Sequence, residues 1–344
     1  MSAAAIAVYT RTVRGVAAAL LAVALQAPAT PATATLANPE KIPTVFLGDA
    51  SIGGYGIAPV DRGALLCVRA AENLPDVIED QLADQSILLD ITADVSCADA
   101  ALRHVWEEQD LGGGVTAVPQ KRALTKETRL VVVGLGAGTV GLGQVLKQCS
   151  ARLRGTEGGH LPDRPVDANS PAKQCRSYFS KGAGAAWLET RFERTGKDLD
   201  KLFSEIGSES PSAKTVLVGY PRLIPKDRTR CRTPLPGGAG SPLGDVPEEA
   251  WAFLDEKVQA RLNTLMAAKS KRYGAHFVDL YAATGAATVC DGSDRGVGGL
   301  LEPSQVTLLH QRLPWYLRSN ETGRDADGDT VAQSIAAMYG RGPA

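Results

Sequence analysis

The chain has 344 residues, with 37 Lys and Arg against 38 Asp and Glu, for a formal net charge of -1. That balance, with 44% hydrophobic and 22% charged residues, excludes a polyanion-binding protein, a disordered chain and a fibre, and leaves enough apolar side chains for a sizeable core. Thirty-six glycines and only 5% aromatics point to frequent loops and tight turns.

The first segment reads as an export signal over residues 1–34. Arg11 and Arg14 form a basic start, residues 15–25 (GVAAALLAVAL) an apolar core, and Ala27-Pro28-Ala29 and Ala32-Thr33-Ala34 are small-x-small cleavage candidates. The apolar run is shorter than the roughly 17 residues a bilayer span needs, so cleavage is expected over anchoring. Residues 35–344 show no internal repeat and no second composition regime, and read as one domain. Within it, residues 41–47 (KIPTVFL) predict a strand ending in a Gly-rich turn, and 73–83 (NLPDVIEDQLA) an amphipathic helix started near Pro75. Short apolar runs at 86–95, 129–135 and 215–218 read as strands buried in a parallel sheet. Long helices are expected at 247–269 and 329–339, the latter capped by Asp329. The alternation argues for α/β, a three-layer α/β/α sandwich with a parallel central sheet.

Six cysteines, Cys67, Cys97, Cys149, Cys175, Cys231 and Cys290, agree with export, because disulfides persist outside the cytoplasm. Six allow about 15 connectivities, of which the spacing favours three local loops closed in sequence order. There is no CxxC and no Cys/His cluster, so no metal is expected, and histidine chemistry has few candidates in His104, His160, His276 and His310. The Asp325-Ala326-Asp327-Gly328-Asp329 run lacks the order of a calcium loop and reads as a turn.

Two Gly-rich motifs compete for the functional reading. Residues 136–141 (GAGTVG) match GxGxxG after a strand, which would suggest NAD, but the strand with an acidic tip roughly 20 residues on is missing. No cofactor is therefore expected, and an NAD-binding oxidoreductase is kept only as a third reading. Residues 46–56 (FLGDASIGGYG) resemble the first block of the SGNH/GDSL hydrolases, secreted esterases and lipases in which a strand runs into Gly-Asp-Ser and a loop ending in Gly-x-Gly. The resemblance extends along the chain through Cys67-Val68-Arg69 with Asn73, residues 95–100 (VSCADA), residues 143–149 (GQVLKQC), Gly219-Tyr220-Pro221-Arg222, Phe277-Val278-Asp279 and residues 318–323 (RSNETG). The order is the family's, and the cysteines fall where its actinomycete-type branch has three disulfides, which implies Cys67 with Cys97, Cys149 with Cys175 and Cys231 with Cys290.

In that family a Ser hydroxyl attacks the ester carbonyl, a His takes its proton, and a Gly amide with an Asn side chain receives the oxyanion. Carried over by resemblance, the nucleophile position is Ala50, the oxyanion Gly is Asp99, the oxyanion Asn is Gly138 and the His is Arg318, while Trp315 stands where the family commonly has its Asp. The resemblance thus implies a degenerate esterase or lipase homologue that binds a ligand, an envelope component or a protein partner in a remodelled cleft, as a monomer and without nucleic acid. The alternative is an active carboxylic ester hydrolase using displaced residues, Ser51 as nucleophile and His310 as base. If the blocks converge, Asp99 and Arg318 are expected to pair across the pocket or to bind a polar ligand jointly, and the alternative is an Arg318 that points to solvent from its turn.

Overall fold

The computed structural model describes residues 40–154, 164–308 and 310–340, so the proposed signal segment and His160 lie outside the described residues. Nine strands occur among the described residues: β1 (Ile42–Gly48), β2 (Leu89–Asp94), β3 (Gln109–Asp110), β4 (Thr116–Ala117), β5 (Leu130–Gly134), β6 (Lys214–Val218), β7 (His276–Val278), β8 (Pro303–Leu308) and β9 (Gln311–Pro314). Five of them form one sheet in the order β2-β1-β5-β6-β7. Every neighbouring pair in it is parallel, with Val45 of β1 opposite Val131 of β5, and Val132 of β5 opposite Val216 of β6. β3 with β4 and β8 with β9 are small antiparallel hairpins outside that sheet.

The central strands carry apolar runs, Val45-Phe46-Leu47 in β1, Leu130-Val131-Val132-Val133 in β5 and Val216-Leu217-Val218 in β6, because both faces of the sheet are covered there. Val45, Leu47, Val131, Val133 and Leu217 join one core, with Leu188, Phe192, Leu199, Leu262 and Met266 from helices Gly182–Glu209 and Ala260–Arg272. Phe46, Leu130, Val132, Val216 and Val278 alternate with them into the other core, against Ile78 and Leu82 of helix Leu74–Asp84 and Val331 and Ile335 of helix Glu321–Met338. The result is the expected three-layer α/β/α sandwich. Three disulfides join Cys67 to Cys97, Cys149 to Cys175 and Cys231 to Cys290. Among the described residues no helix is long and apolar enough to cross a membrane.

Three local expectations are corrected. The last helix starts at Glu321, eight residues earlier than read, with the Asn320 side chain accepting the Gly323 amide at 2.9 Å; Asp329 therefore lies inside the helix, where it accepts from Gln333. The Gly-Asp run that reads as a turn is helical because its glycines serve packing: Gly323 lies against the backbone of Gly296, and Gly328 against Val77 of helix Leu74–Asp84. The helix expected at 247–269 runs without interruption from Glu248 to Arg272, but it is not α throughout, since Phe253–Gln259 forms a π segment between Glu248–Ala252 and Ala260–Arg272. Helix Gly182–Glu209, 28 residues long, was not foreseen at all; its opening Gly-Ala-Gly hides an apolar stripe of Leu188, Phe192, Leu199, Leu202 and Ile206.

Candidate functional site

A cleft of about 840 Å³ opens beyond the carboxyl ends of β1, β5 and β6, the usual place for a site in a parallel sheet. β1 ends at Gly48, where a Cβ would collide with Ile52, so the chain turns tightly into the one-turn helix Ala50–Gly53. Asp49 caps that helix: its carboxylate accepts from the Ser51 amide and the Ser51 hydroxyl, both at 2.8 Å, and from the Tyr220 hydroxyl at 2.6 Å. Burial pushes the Asp49 carboxyl above its ordinary range, and these three donors work against that shift. Tyr220 in turn accepts the Ala137 amide at 2.9 Å, which ties the ends of β1, β5 and β6 together.

Ala50, Asp99, Gly138 and Arg318 all line this cleft. Asp99 has φ of +61°, a left-handed conformation that favours Gly and that Asp tolerates better than most residues. Arg318 Nη2 donates to Asp99 Oδ1 at 3.2 Å across 219 residues of sequence, and its guanidinium lies 4.4 Å from the centre of the Tyr55 ring. Of the three geometries open to these residues, direct pairing, a jointly held ligand or an Arg318 turned to solvent, the structure has the direct pair. Gly138 sits under the loop that carries Asp99. A Cβ there would meet the Ala100 carbonyl oxygen at 2.7 Å, so any side chain at 138 requires backbone movement. Trp315 is buried, and its carbonyl accepts the Arg318 amide at 3.2 Å.

Ser51 also lines the cleft, but His310 does not: it is exposed on the turn between β8 and β9, with φ of +66°. The alternative pair is therefore not brought together. The GAGTVG stretch forms the short helix Ala137–Val140 and then enters Leu142–Cys149; the next strand of the sheet begins only at Lys214, unlike a dinucleotide-binding βαβ unit.

The sequence reading gave no cleft role to His104 or Arg191, both of which line it. His104 Nδ1 accepts the Ala101 amide at 3.1 Å, which leaves the ring proton on Nε2, and burial, reinforced by Arg103, lowers its pKa to about 4. Arg191 reaches in from helix Gly182–Glu209, and its Nη2 donates to the Gly138 carbonyl at 3.2 Å. Arg191 lies 53 residues along the chain from the carbonyl it touches, so no spacing signal could have found it, whereas His104 follows the 95–100 block by four residues and that closeness could have pointed to it.

A three-layer sandwich whose cleft sits at the turn after its first strand, closed by a segment just ahead of the last helix, is the architecture of the SGNH hydrolases. The chain is 47% identical over 324 residues to an esterase of Streptomyces scabiei, covering 92% of each protein. It also superposes on an extracellular lipase of Streptomyces rimosus with a TM-score of 0.57 at 16% identity, covering 86% of this chain and 99% of that one. On a phospholipase A1 of Streptomyces albidoflavus the TM-score is 0.55 at 19% identity, covering 87% and 99%. No family model matches the chain. The chain belongs to the SGNH/GDSL hydrolase family of esterases and lipases.

Proposed function

We propose that this protein is an exported member of the family that has lost ester hydrolysis and uses its cleft to bind a ligand or a partner. The observation that carries the reading is the Asp99–Arg318 pair: two positions that the resemblance assigns to the oxyanion glycine and the general base hold each other at 3.2 Å. A guanidinium with a pKa above about 12 accepts no proton near neutrality. Ala50 has no nucleophilic atom, and Gly138 has no side chain to donate to an oxyanion. Loss of a single triad member leaves only about 10³ to 10⁴ over water, and that remainder rests on an oxyanion hole which is also altered here. The N-terminal signal pattern, the three disulfides and the extracellular character of the S. rimosus lipase support export, with residues 35–344 as the mature domain.

The test is hydrolysis of short p-nitrophenyl esters by the purified protein, beside Ser51→Ala and Ala50→Ser. The expected rate is that of an unrelated protein for all three, because the Ser51 hydroxyl has, among the described residues, only the Asp49 carboxylate as a hydrogen-bonded side-chain partner, and Ala50→Ser regains neither base nor oxyanion donor. Wild-type turnover that disappears in Ser51→Ala would establish an active enzyme with a displaced nucleophile and overturn the proposal.

A further inference from the structure

The positive charge in the cleft wall is only partly matched by carboxylates. Arg318 is paired with Asp99, and the exposed Arg103 has Glu107 at 3.8 Å. Arg191 is different. It is half-buried, forms no ion pair among the described residues, and has a buried Nε with no hydrogen-bond acceptor among them; its contacts there are the 3.2 Å hydrogen bond from Nη2 to the Gly138 carbonyl and the face of Trp187, whose ring centre lies 5.7 Å from the guanidinium. A partly desolvated guanidinium without a counter-charge is unfavourable, and one with an unmade buried donor more so. Burial, followed by repulsion from Arg194 and Arg103, lowers its pKa, with Asp198 only weakly opposing. Asp198 is itself the partner of Arg194 at 3.4 Å.

The carboxylates that share the cleft are already engaged. Asp49 receives three hydrogen bonds, Asp99 holds Arg318, and Asp110 accepts the Gly112 amide at 2.8 Å. The same cleft is also lined by Leu142 and Leu146 of one helix and by Leu66 and Leu111. Leu66 is 48% exposed, as is its neighbour Leu65, so an apolar chain leaving the cleft would have surface to lie on.

We propose that the cleft binds an amphipathic oxyanion, a carboxylate or phosphate monoester carried on an apolar chain, with Arg191 as the anchoring cation and Arg103 beside it. The inference rests on the cleft being a binding site and names the ligand chemistry that site takes. The position that the resemblance assigns to the oxyanion Asn is Gly138, whose carbonyl now holds Arg191. Beside a position that the resemblance assigns to charge that develops transiently, the chain holds a permanent cation suited to an anion in its ground state.

The experiment is calorimetric titration of the mature protein with decanoate, decyl phosphate and decanol. At least one of the two anions is expected to bind about tenfold or more tightly than decanol, and the stronger of them identifies carboxylate or phosphate as the head group. Arg191→Gln should weaken anion binding roughly tenfold and leave decanol unchanged, Arg191→Lys should keep part of the affinity, and Arg103→Gln should weaken the anions several-fold. Arg122→Gln, an exposed cation outside the cleft lining, controls for net charge. Anions that bind no better than decanol, no binding of any of the three, or an Arg191→Gln variant that binds as wild type would each overturn the inference. Ester hydrolysis measured on the same preparations separates the two readings. Turnover lost in Ser51→Ala removes the inactive-enzyme proposal whatever the titrations show, while an inert protein that binds no anion removes only this one.

Discussion

Gly138→Ala adds a single methyl group where the cleft is tightest. Its Cβ would lie 2.7 Å from the Ala100 oxygen, 3.3 Å from the Ala100 carbonyl carbon and 3.4 Å from Ala101 Cα. Reaching an ordinary contact of about 3.4 Å means moving the oxygen by about 0.7 Å. The loop is poorly placed to yield: the Ala100 amide donates to Cys97 at 3.1 Å, the Leu102 amide donates to Thr139 Oγ1 at 2.8 Å, and Cys97 is tied to Cys67. Overpacking of this kind costs about 1 to 3 kcal/mol, against which replacing Gly by Ala within a helix gains at most about 1 kcal/mol. The expected net loss of up to about 2 kcal/mol corresponds to a thermal midpoint lower by several degrees, at about 2 to 4 °C per kcal/mol for a chain of this size. Differential scanning calorimetry of the two proteins reads it directly. A Gly138→Ala midpoint at or above wild type would refute the claim that the loop carrying Asp99 has closed over this position. The same clash meets an Asn at 138, so a chain carrying Ala50→Ser, Gly138→Asn and Arg318→His together is expected to remain without esterase activity.

A double-mutant cycle on Asp99→Ala and Arg318→Ala should return a coupling of about 0.5 to 2 kcal/mol, since the pair is partly shielded from water; additive urea stabilities would show that the pair holds nothing. Tyr220→Phe removes a donor from the buried Asp49 carboxylate and an acceptor from the Ala137 amide, and should cost about 1 to 3 kcal/mol in urea unfolding, with an unchanged midpoint telling against the network. Burial pushes Asp327 up to about 7 although Ser319 Oγ donates to it at 2.9 Å. A carboxyl raised on folding keeps its proton after the unfolded chain has lost it, so its contribution falls as pH rises from about 4 to about 7. Asp327→Asn should therefore match wild type near pH 4 and exceed it by a few kcal/mol, at about 1.4 per pH unit, at pH 8; parallel stability curves for the two proteins would contradict this.

Much of the architecture is written locally. β1, β5 and β6 are short apolar runs bounded by Gly or polar residues, and those are the residues that a sheet covered on both faces requires. The ordered blocks from FLGDASIGGYG to RSNETG also carry the family; the first leaves the end of β1, Gly219-Tyr220-Pro221-Arg222 leaves the end of β6, and GQVLKQC lies within helix Leu142–Cys149. Helices Gly182–Glu209 and Glu321–Met338 were harder to see for one shared reason. Their glycines weaken the helical signal, yet Gly184, Gly323 and Gly328 lie where a Cβ would strike Tyr178, Gly296 and Val77, contacts that exist only after packing.

The cleft itself belongs to the tertiary structure. Composition and motif order name Ala50, Asp99, Gly138 and Arg318 as substituted positions, but whether a carboxylate and a guanidinium 219 residues apart meet, or one of them turns to water, depends on how the loop after β2 and the segment before the last helix cross the sheet ends. Arg191 is the clearest case. On its helix it is one cation among several, with Arg194 and Lys197 close by in sequence, and only the approach of that helix to the Gly138 carbonyl, 53 residues away along the chain, makes it a half-buried charge lining a cavity. Periodicity and spacing report what a segment needs from its nearest neighbours. Electrostatic fields and steric limits inside a cleft are set by atoms from many segments at once, and they come into being only when the chain has folded.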